Sequence, residues 1–203
     1  MTFEQAIKRM LDIKQQIREL ANADDQRRRQ IRDDPNLTKK AQALALENLT
    51  AENEAKRRKL MAEYDSARKV AEQHTKTVRE NSNVDPQAQA RVHELRRQGY
   101  NLPQQLTRAV ETGDAAMLYA LRAEARYFGD GKQFSEGQEI VRACDRALAQ
   151  LGHTPERLVL EADEAAQGFR EVAEFTAKAL HGTALPEDRM RMAFALGEGK
   201  EAD

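Results

Sequence analysis

The chain has 203 residues and a net charge of −1, with 33% charged residues, 5% aromatic residues and one cysteine. A single cysteine excludes an intramolecular disulfide framework, and no apolar run reaches the roughly 18 residues that a membrane-spanning helix needs. The N-terminal residues lack the basic and apolar regions of a signal peptide. We therefore expect a cytoplasmic protein with no membrane segment, whose core is aliphatic.

The first eighty residues predict two long helices. Glycine is absent from this stretch and its only proline is Pro35, so nothing else interrupts a helix. Apolar side chains recur at helical spacing over residues 2–32 and again over residues 38–80. The pattern predicts a charged, coiled-coil-like antiparallel hairpin over residues 1–82, whose second helix is roughly 60 Å long at 1.5 Å per residue.

The second helix is longer than the first, so its last turns extend beyond the partner helix in such a hairpin. The apolar stripe continues there through Val70, His74 and Val78. We expect the C-terminal half of the chain to cover these residues. The tip, residues 22–45, has few apolar residues, and we expect its amides to exchange faster than those of the later helices.

The remainder of the chain predicts a small helical bundle over residues 83–196, and the fold class is therefore all-α. No segment has the period of two that indicates a strand. Capping residues, prolines and glycines divide this half into helices at about 86–98, 103–112, 114–128, 135–151, 155–181 and 186–196. The tail, residues 197–203, has too little apolar surface to become ordered.

Two basic clusters, Arg27–Arg29 with Arg32 and Lys56–Lys59, raise the question of nucleic-acid binding. A nucleic-acid site needs its charges gathered on one face. Consecutive helical residues instead point about 100° apart, and acidic residues four positions earlier dilute the charge. We therefore favour solvated helix faces, and nucleic-acid binding by the basic hairpin is the alternative function.

Catalytic and metal-binding motifs are absent from the sequence. The four histidines lie in separate segments without the spacing of paired metal ligands. The segment 129–132, Gly-Asp-Gly-Lys, lacks the preceding strand of a phosphate-binding loop. We expect no enzymatic activity, no cofactor and no metal.

The candidate interface residues come from two features. Leu37, Ala41, Leu44, Ala51 and Ala55 form a second apolar stripe on the second helix, which one hairpin cannot cover. The segments 99–103 and 120–128 concentrate aromatic residues and arginines, the residue types that dominate interface energetics. The candidate interface residues are Leu37, Leu44, Val70, His74, Val78, Tyr100, Leu102, Arg122, Arg126 and Tyr127.

Long charged helices without glycine clusters suit interaction better than catalysis. The sequence therefore predicts a non-enzymatic interaction or assembly protein that presents a helical hairpin to a protein partner, foremost a copy of itself. In style it resembles scaffolding and structural assembly proteins of bacteriophages, and equally small bacterial adaptor or inhibitor proteins. No motif separates these two groups, so the sequence assigns neither a family nor a viral or cellular origin.

Overall fold

The computed structural model describes residues 1–80, 84–126 and 132–195, with side chains at all of these except 132–134, 194 and 195. Within these ranges every regular element is an α-helix and no strand occurs, which confirms the all-α prediction. The helices are α1 Phe3–Asp33, α2 Lys39–Glu80, α3 Pro86–Arg97, α4 Leu102–Thr112, α5 Ala115–Ala125, α6 Lys132–Gln150, α7 Thr154–Ala166, α8 Phe169–Leu180 and α9 Pro186–Ala195.

Side-chain caps fix several of the predicted helix starts. The Thr2 hydroxyl accepts a hydrogen bond from the Gln5 amide, and the Gln5 side chain accepts one from the Thr2 amide, which completes a capping box. The Asp85 carboxylate accepts a hydrogen bond from the Gln87 amide at the start of α3, and the Asp114 carboxylate accepts one from the Met117 amide at the start of α5. None of the helices within the described ranges has the length and apolar character needed to cross a bilayer.

The prediction of one continuous helix over residues 155–181 is wrong, because the helix is interrupted between α7 and α8. Gly168 adopts a φ of 72°, a left-handed conformation that suits glycine. The Lys14 ammonium donates a 2.7 Å hydrogen bond to the Gln167 carbonyl at this break. Burial lowers the pKa of Lys14, and the nearby Glu171 carboxylate opposes that shift. Lys14 thus provides a hydrogen-bond donor for a carbonyl just after the end of α7. The apolar pattern did not predict this helix end.

The contacts divide the chain into two compact units. Unit 1 contains residues 1–71 and 164–203, and unit 2 contains residues 72–163. This division differs from the predicted domains, 1–82 and 83–196, because α8 packs on α1 rather than joining the later helices. The predicted tail, 197–203, lies outside the described residues.

The core of unit 1 lies on the predicted apolar face of α1. Ile13 and Ile17 are completely buried, and the Tyr64 ring of α2 stacks on the Phe169 ring of α8. The Thr176 hydroxyl of α8 also lies 3.4 Å from the Ile17 carbonyl. Three helices therefore share one aliphatic and aromatic core.

The core of unit 2 is formed by α3 to α6, with Val92, Leu118, Leu121 and Leu148 completely buried. The last turns of α2 belong to this unit, since the Val78 carbonyl lies 3.4 Å from an Arg122 nitrogen that donates to it. The end of the long second helix therefore contacts the later helices at Val78, whereas His74 of the predicted stripe is exposed.

Candidate interaction surface on the first two helices

Helices α1 and α2 contact each other in reversed order along the chain. Arg9 pairs with Glu63 near one end, and the Arg28 guanidinium donates a 2.7 Å hydrogen bond to the Thr50 hydroxyl further along. Residue numbers therefore fall on α2 as they rise on α1. These pairs define which positions of the two helices lie at the same level.

A buried polar layer lies between these helices inside the predicted tip. Asp24 is 1% exposed, and its carboxylate accepts a 2.8 Å hydrogen bond from Asn53 and another from Arg28. Arg28 also donates to the Leu180 carbonyl at the end of α8. The first part of the predicted tip, residues 22–45, is therefore packed through polar groups, which the count of apolar residues did not predict. Polar groups in such a layer select one register of the helices, because any other register leaves them unpaired.

The opposite side of α1 and α2 is an open groove. One depression, of about 510 Å³, is lined by both helices, and a second of about 370 Å³ follows towards the tip. Some of the lining positions follow alternating steps of four and three: 16, 20, 23, 27 and 30 on α1, with 34 just after it, and 45, 49, 52, 56, 59 and 63 on α2. The others are 9, 19 and 31 on α1, 37 between the two helices, and 48 and 60 on α2. We call this surface the α1–α2 groove.

The α1–α2 groove has an apolar floor and charged rims. Leu20 and Leu60 line the first depression, and Ile31, Leu37 and Leu49 line the second, all of them half-buried. The rims carry four basic and four acidic side chains: Arg9, Arg27, Lys56 and Lys59 against Glu19, Asp34, Glu52 and Glu63. Protein–protein interfaces in general also combine an apolar centre with a polar rim.

Leu37 and Leu44 are the predicted interface residues that lie on or beside this surface. Leu37 lines the groove, and Leu44 is 59% exposed. Tyr100 is 47% exposed in unit 2, while Val70 and Val78 are half-buried and His74 is exposed. Tyr127 lies outside the described residues.

Two predicted interface residues are wrong as surface contacts, since Leu102 is 3% exposed and Arg122 is completely buried. Leu102 belongs to the core of unit 2. The exposed Arg126 donates a 2.7 Å hydrogen bond to the Arg79 carbonyl and pairs with Glu80, so it is engaged within the unit.

Arg122 is the centre of a buried ion-pair cluster that the sequence did not reveal. Its guanidinium lies 2.6 Å from Asp145 and 3.2 Å from Glu156, and all three side chains are buried. Arg79 donates two further hydrogen bonds to Asp145. The neighbouring Cys144 is inert in this setting, because burial raises the pKa of its thiol to about 12. The cluster is therefore structural.

The arginines of the first basic cluster differ in their exposure to solvent. Arg28 is 8% exposed and belongs to the polar layer, whereas Arg27 and Arg29 are exposed. Arg29 pairs with Asp25 at 2.7 Å. With the exposed Arg32, the cluster therefore offers three exposed charges, one of them paired, rather than a basic face.

We predict that the chain binds duplex DNA weakly and that binding disappears near physiological salt, because too few phosphates are neutralised together. Fluorescence anisotropy with a labelled duplex over a salt series measures this. The informative variant is Arg27→Ala with Arg29→Ala, since changing Arg28 would also disturb the polar layer. Submicromolar binding at about 150 mM salt that this variant abolishes would contradict the prediction.

Metal chemistry has no candidate site here: within the described ranges, no group of three or more His, Cys, Asp or Glu side chains is arranged to hold a metal ion. No family model, curated protein or solved structure matches the chain. Function is therefore inferred from the surface of the protein, and specifically from the α1–α2 groove.

Proposed function

We propose that the chain is a non-enzymatic interaction or assembly protein of the cytoplasm, which binds a protein partner along an antiparallel hairpin of α1 and α2. The observation that supports this proposal is the open α1–α2 groove with its apolar floor. One face of each helix is covered within unit 1, whereas another face lines this groove. A helix with apolar side chains on two faces needs two sets of neighbours.

The chemistry of the groove favours a helical protein as the occupant. Its length along the two helices, from Arg9 to Asp34, is roughly 38 Å at 1.5 Å per residue, which is long enough for a partner helix of several turns. The stripe that includes the exposed Leu44 adjoins the groove and widens the apolar surface. An adaptor, an inhibitor and a scaffolding protein would all use such a groove, and nucleic-acid binding ranks behind them because the rims carry both signs.

We predict that Leu20→Glu with Leu60→Glu abolishes partner binding, because two carboxylates would lie unpaired in the apolar floor. The measurement is quantitative capture of partners by the tagged chain, with cross-linking to locate the contact. Leu11→Glu is the matched control, since Leu11 is 47% exposed on α1 and does not line the groove. Capture that is equal for both variants, or cross-links confined to unit 2, would contradict the proposal.

A further inference from the structure

We infer that unit 1 contains a binding pocket for a small organic phosphate ester, a ligand with a doubly charged head and an apolar body. The pocket lies between α1, α8, the turn after α8 and α9, and its volume is about 310 Å³. We call it the arginine pocket, because Arg28, Arg32 and Arg189 form part of its wall. Among the described residues none lines both this pocket and the α1–α2 groove, so the inference goes beyond the proposed function and is independent of it.

Arg28 is the buried arginine of the pocket wall. It is 8% exposed, and its guanidinium is held in place because Nε donates to Asp24 while Nη2 donates to the Thr50 hydroxyl and the Leu180 carbonyl. Within the described part of the chain, its remaining nitrogen, Nη1, donates to no group. A guanidinium that is already fixed and keeps unused N–H groups binds an oxyanion with little loss of side-chain entropy.

The other two arginines lie on the solvent side of the pocket. Arg32 is exposed on α1, and its guanidinium forms no ion pair within the described ranges. Arg189 is exposed on α9 and lies 3.4 Å from Asp25. Asp25 is the one acidic side chain among the described residues of the pocket wall, and it also pairs with Arg29 at 2.7 Å. Both exposed guanidinium groups are therefore available to a ligand that reaches Arg28.

The charges that line the pocket, counted together with their salt-bridge partners, are positive. Three arginines and Asp25 line it, which leaves two positive charges. The further partners of these side chains are Asp24 and Arg29, whose charges cancel. The sequence neighbours Lys178 and Asp188 pair with each other. A ligand with two negative charges on one head therefore neutralises the pocket, and a phosphate monoester carries about −1.5 to −2 charge at pH 7.

The rest of the wall is largely apolar. Phe175 and Met192 line the pocket and are 6% and 9% exposed, and Ala179 lies one turn after Phe175 on α8. Because these side chains are packed within unit 1, this part of the wall is formed before a ligand binds. A volume of about 310 Å³ is at the lower end of the range for small-molecule sites. The pocket therefore fits one phosphate group with a compact apolar body, rather than a macromolecule.

The first experiment titrates the full chain, labelled with ¹³C at its methionine methyl groups, with phenyl phosphate. The Met192 resonance, assigned with Met192→Leu, should shift saturably with a Kd below about 1 mM. Met190 is the internal reference, because it is 58% exposed on the same helix and does not line the pocket. Inorganic phosphate lacks the apolar body and phenyl sulfate carries a single charge, so each should bind at least about tenfold more weakly.

The second experiment repeats the titration with charge variants. Arg32→Gln and Arg189→Gln should each weaken phenyl phosphate binding about fivefold, and Asp25→Asn should strengthen it by a similar factor, because the lining loses its acidic side chain. Arg191→Gln is the matched control, since Arg191 is exposed on α9 and does not line the pocket. Arg28 is left unchanged because it also holds the polar layer. Circular dichroism verifies that each variant folds.

Four results would overturn the inference. The absence of a saturable Met192 shift at about 10 mM phenyl phosphate excludes this class of ligand. Equal shifts of Met190 and Met192, or an equal loss of affinity in Arg191→Gln, reduce the effect to general charge attraction. Equal affinity for inorganic phosphate removes the role of the apolar wall. A phosphotyrosine peptide that binds more tightly than phenyl phosphate assigns the pocket to a modified protein side chain instead.

The outcome is separable from that of the proposed function. Leu20→Glu with Leu60→Glu changes the α1–α2 groove alone, so this variant should keep its affinity for phenyl phosphate. A chain that captures no protein partner can still pass both titrations, and a chain that fails them can still bind a partner in the groove. A saturable Met192 shift that depends on Arg32 and Arg189 and on the phenyl group supports the inference.

Discussion

Phe169→Ala is expected to lower the free energy of unfolding of unit 1 by about 3 to 5 kcal/mol. Phe169 is 8% exposed and its ring stacks on Tyr64, so it joins α8 to α2 within the shared core. Truncation removes the buried ring and leaves a cavity that the surrounding helices close only in part. Urea unfolding followed by circular dichroism, with a fluorescent probe in unit 1, measures the change.

The control for this variant is Leu11→Ala, at a position on α1 that is 47% exposed. Surface truncations of this kind usually change stability by no more than about 0.5 kcal/mol. Equal effects of the two variants would mean that Phe169 is not a core residue.

Arg122→Ala is expected to destabilise unit 2 by about 3 to 5 kcal/mol, because it leaves the buried Glu156 without its cation and leaves the buried Asp145 with Arg79 alone. Asp145 and Glu156 are 0% and 2% exposed, so water cannot replace the guanidinium. Replacing all three residues of the cluster with apolar side chains of similar volume should cost much less, since no uncompensated charge remains buried. Among the residues that the structure describes, Arg122 Nε and one Glu156 oxygen find no hydrogen-bond partner, which lowers the net contribution of the cluster to stability.

Thermal and urea unfolding of the two variants tests this difference. Arg97→Ala is a suitable control in the same unit, because Arg97 forms an exposed pair with Glu94 at 3.9 Å. If Arg122→Ala costs no more than Arg97→Ala, the cluster is not the electrostatic centre of unit 2. If the triple replacement is the worse of the two, the charges contribute net stability instead.

Local signals in the sequence located the helices well. Caps such as Thr2 and Asp114 act within one turn, so a short stretch of sequence contains all the information they need. The break at Gly168 was missed because the apolar seam continues across it into α8. One glycine in a strong pattern is normally tolerated, and the compensating hydrogen bond comes from Lys14, which is distant in sequence.

The polar layer and the groove were missed for a different reason. Asp24 and Arg28 continue the buried seam of α1 at steps of three and four, but a search for apolar residues treats them as solvated. Counting seam positions regardless of residue type would have found both. The burial of Arg122 could not be found in this way, because its partners Asp145 and Glu156 lie on other helices.

The discontinuous composition of unit 1 has a consequence for synthesis on the ribosome. Helices α1 and α2 emerge first, yet the groups that complete their core, such as Phe169 and the Leu180 carbonyl that binds Arg28, lie beyond residue 163. Unit 2 is continuous in sequence and can fold as it emerges. The apolar face of α1 remains without α8 while residues 72–163 are translated. This translation takes on the order of 5 to 20 s at typical rates. During that interval a nascent chain has Ile13 and Ile17 uncovered by α8, so neighbouring nascent chains and chaperones can reach them before the native helix does.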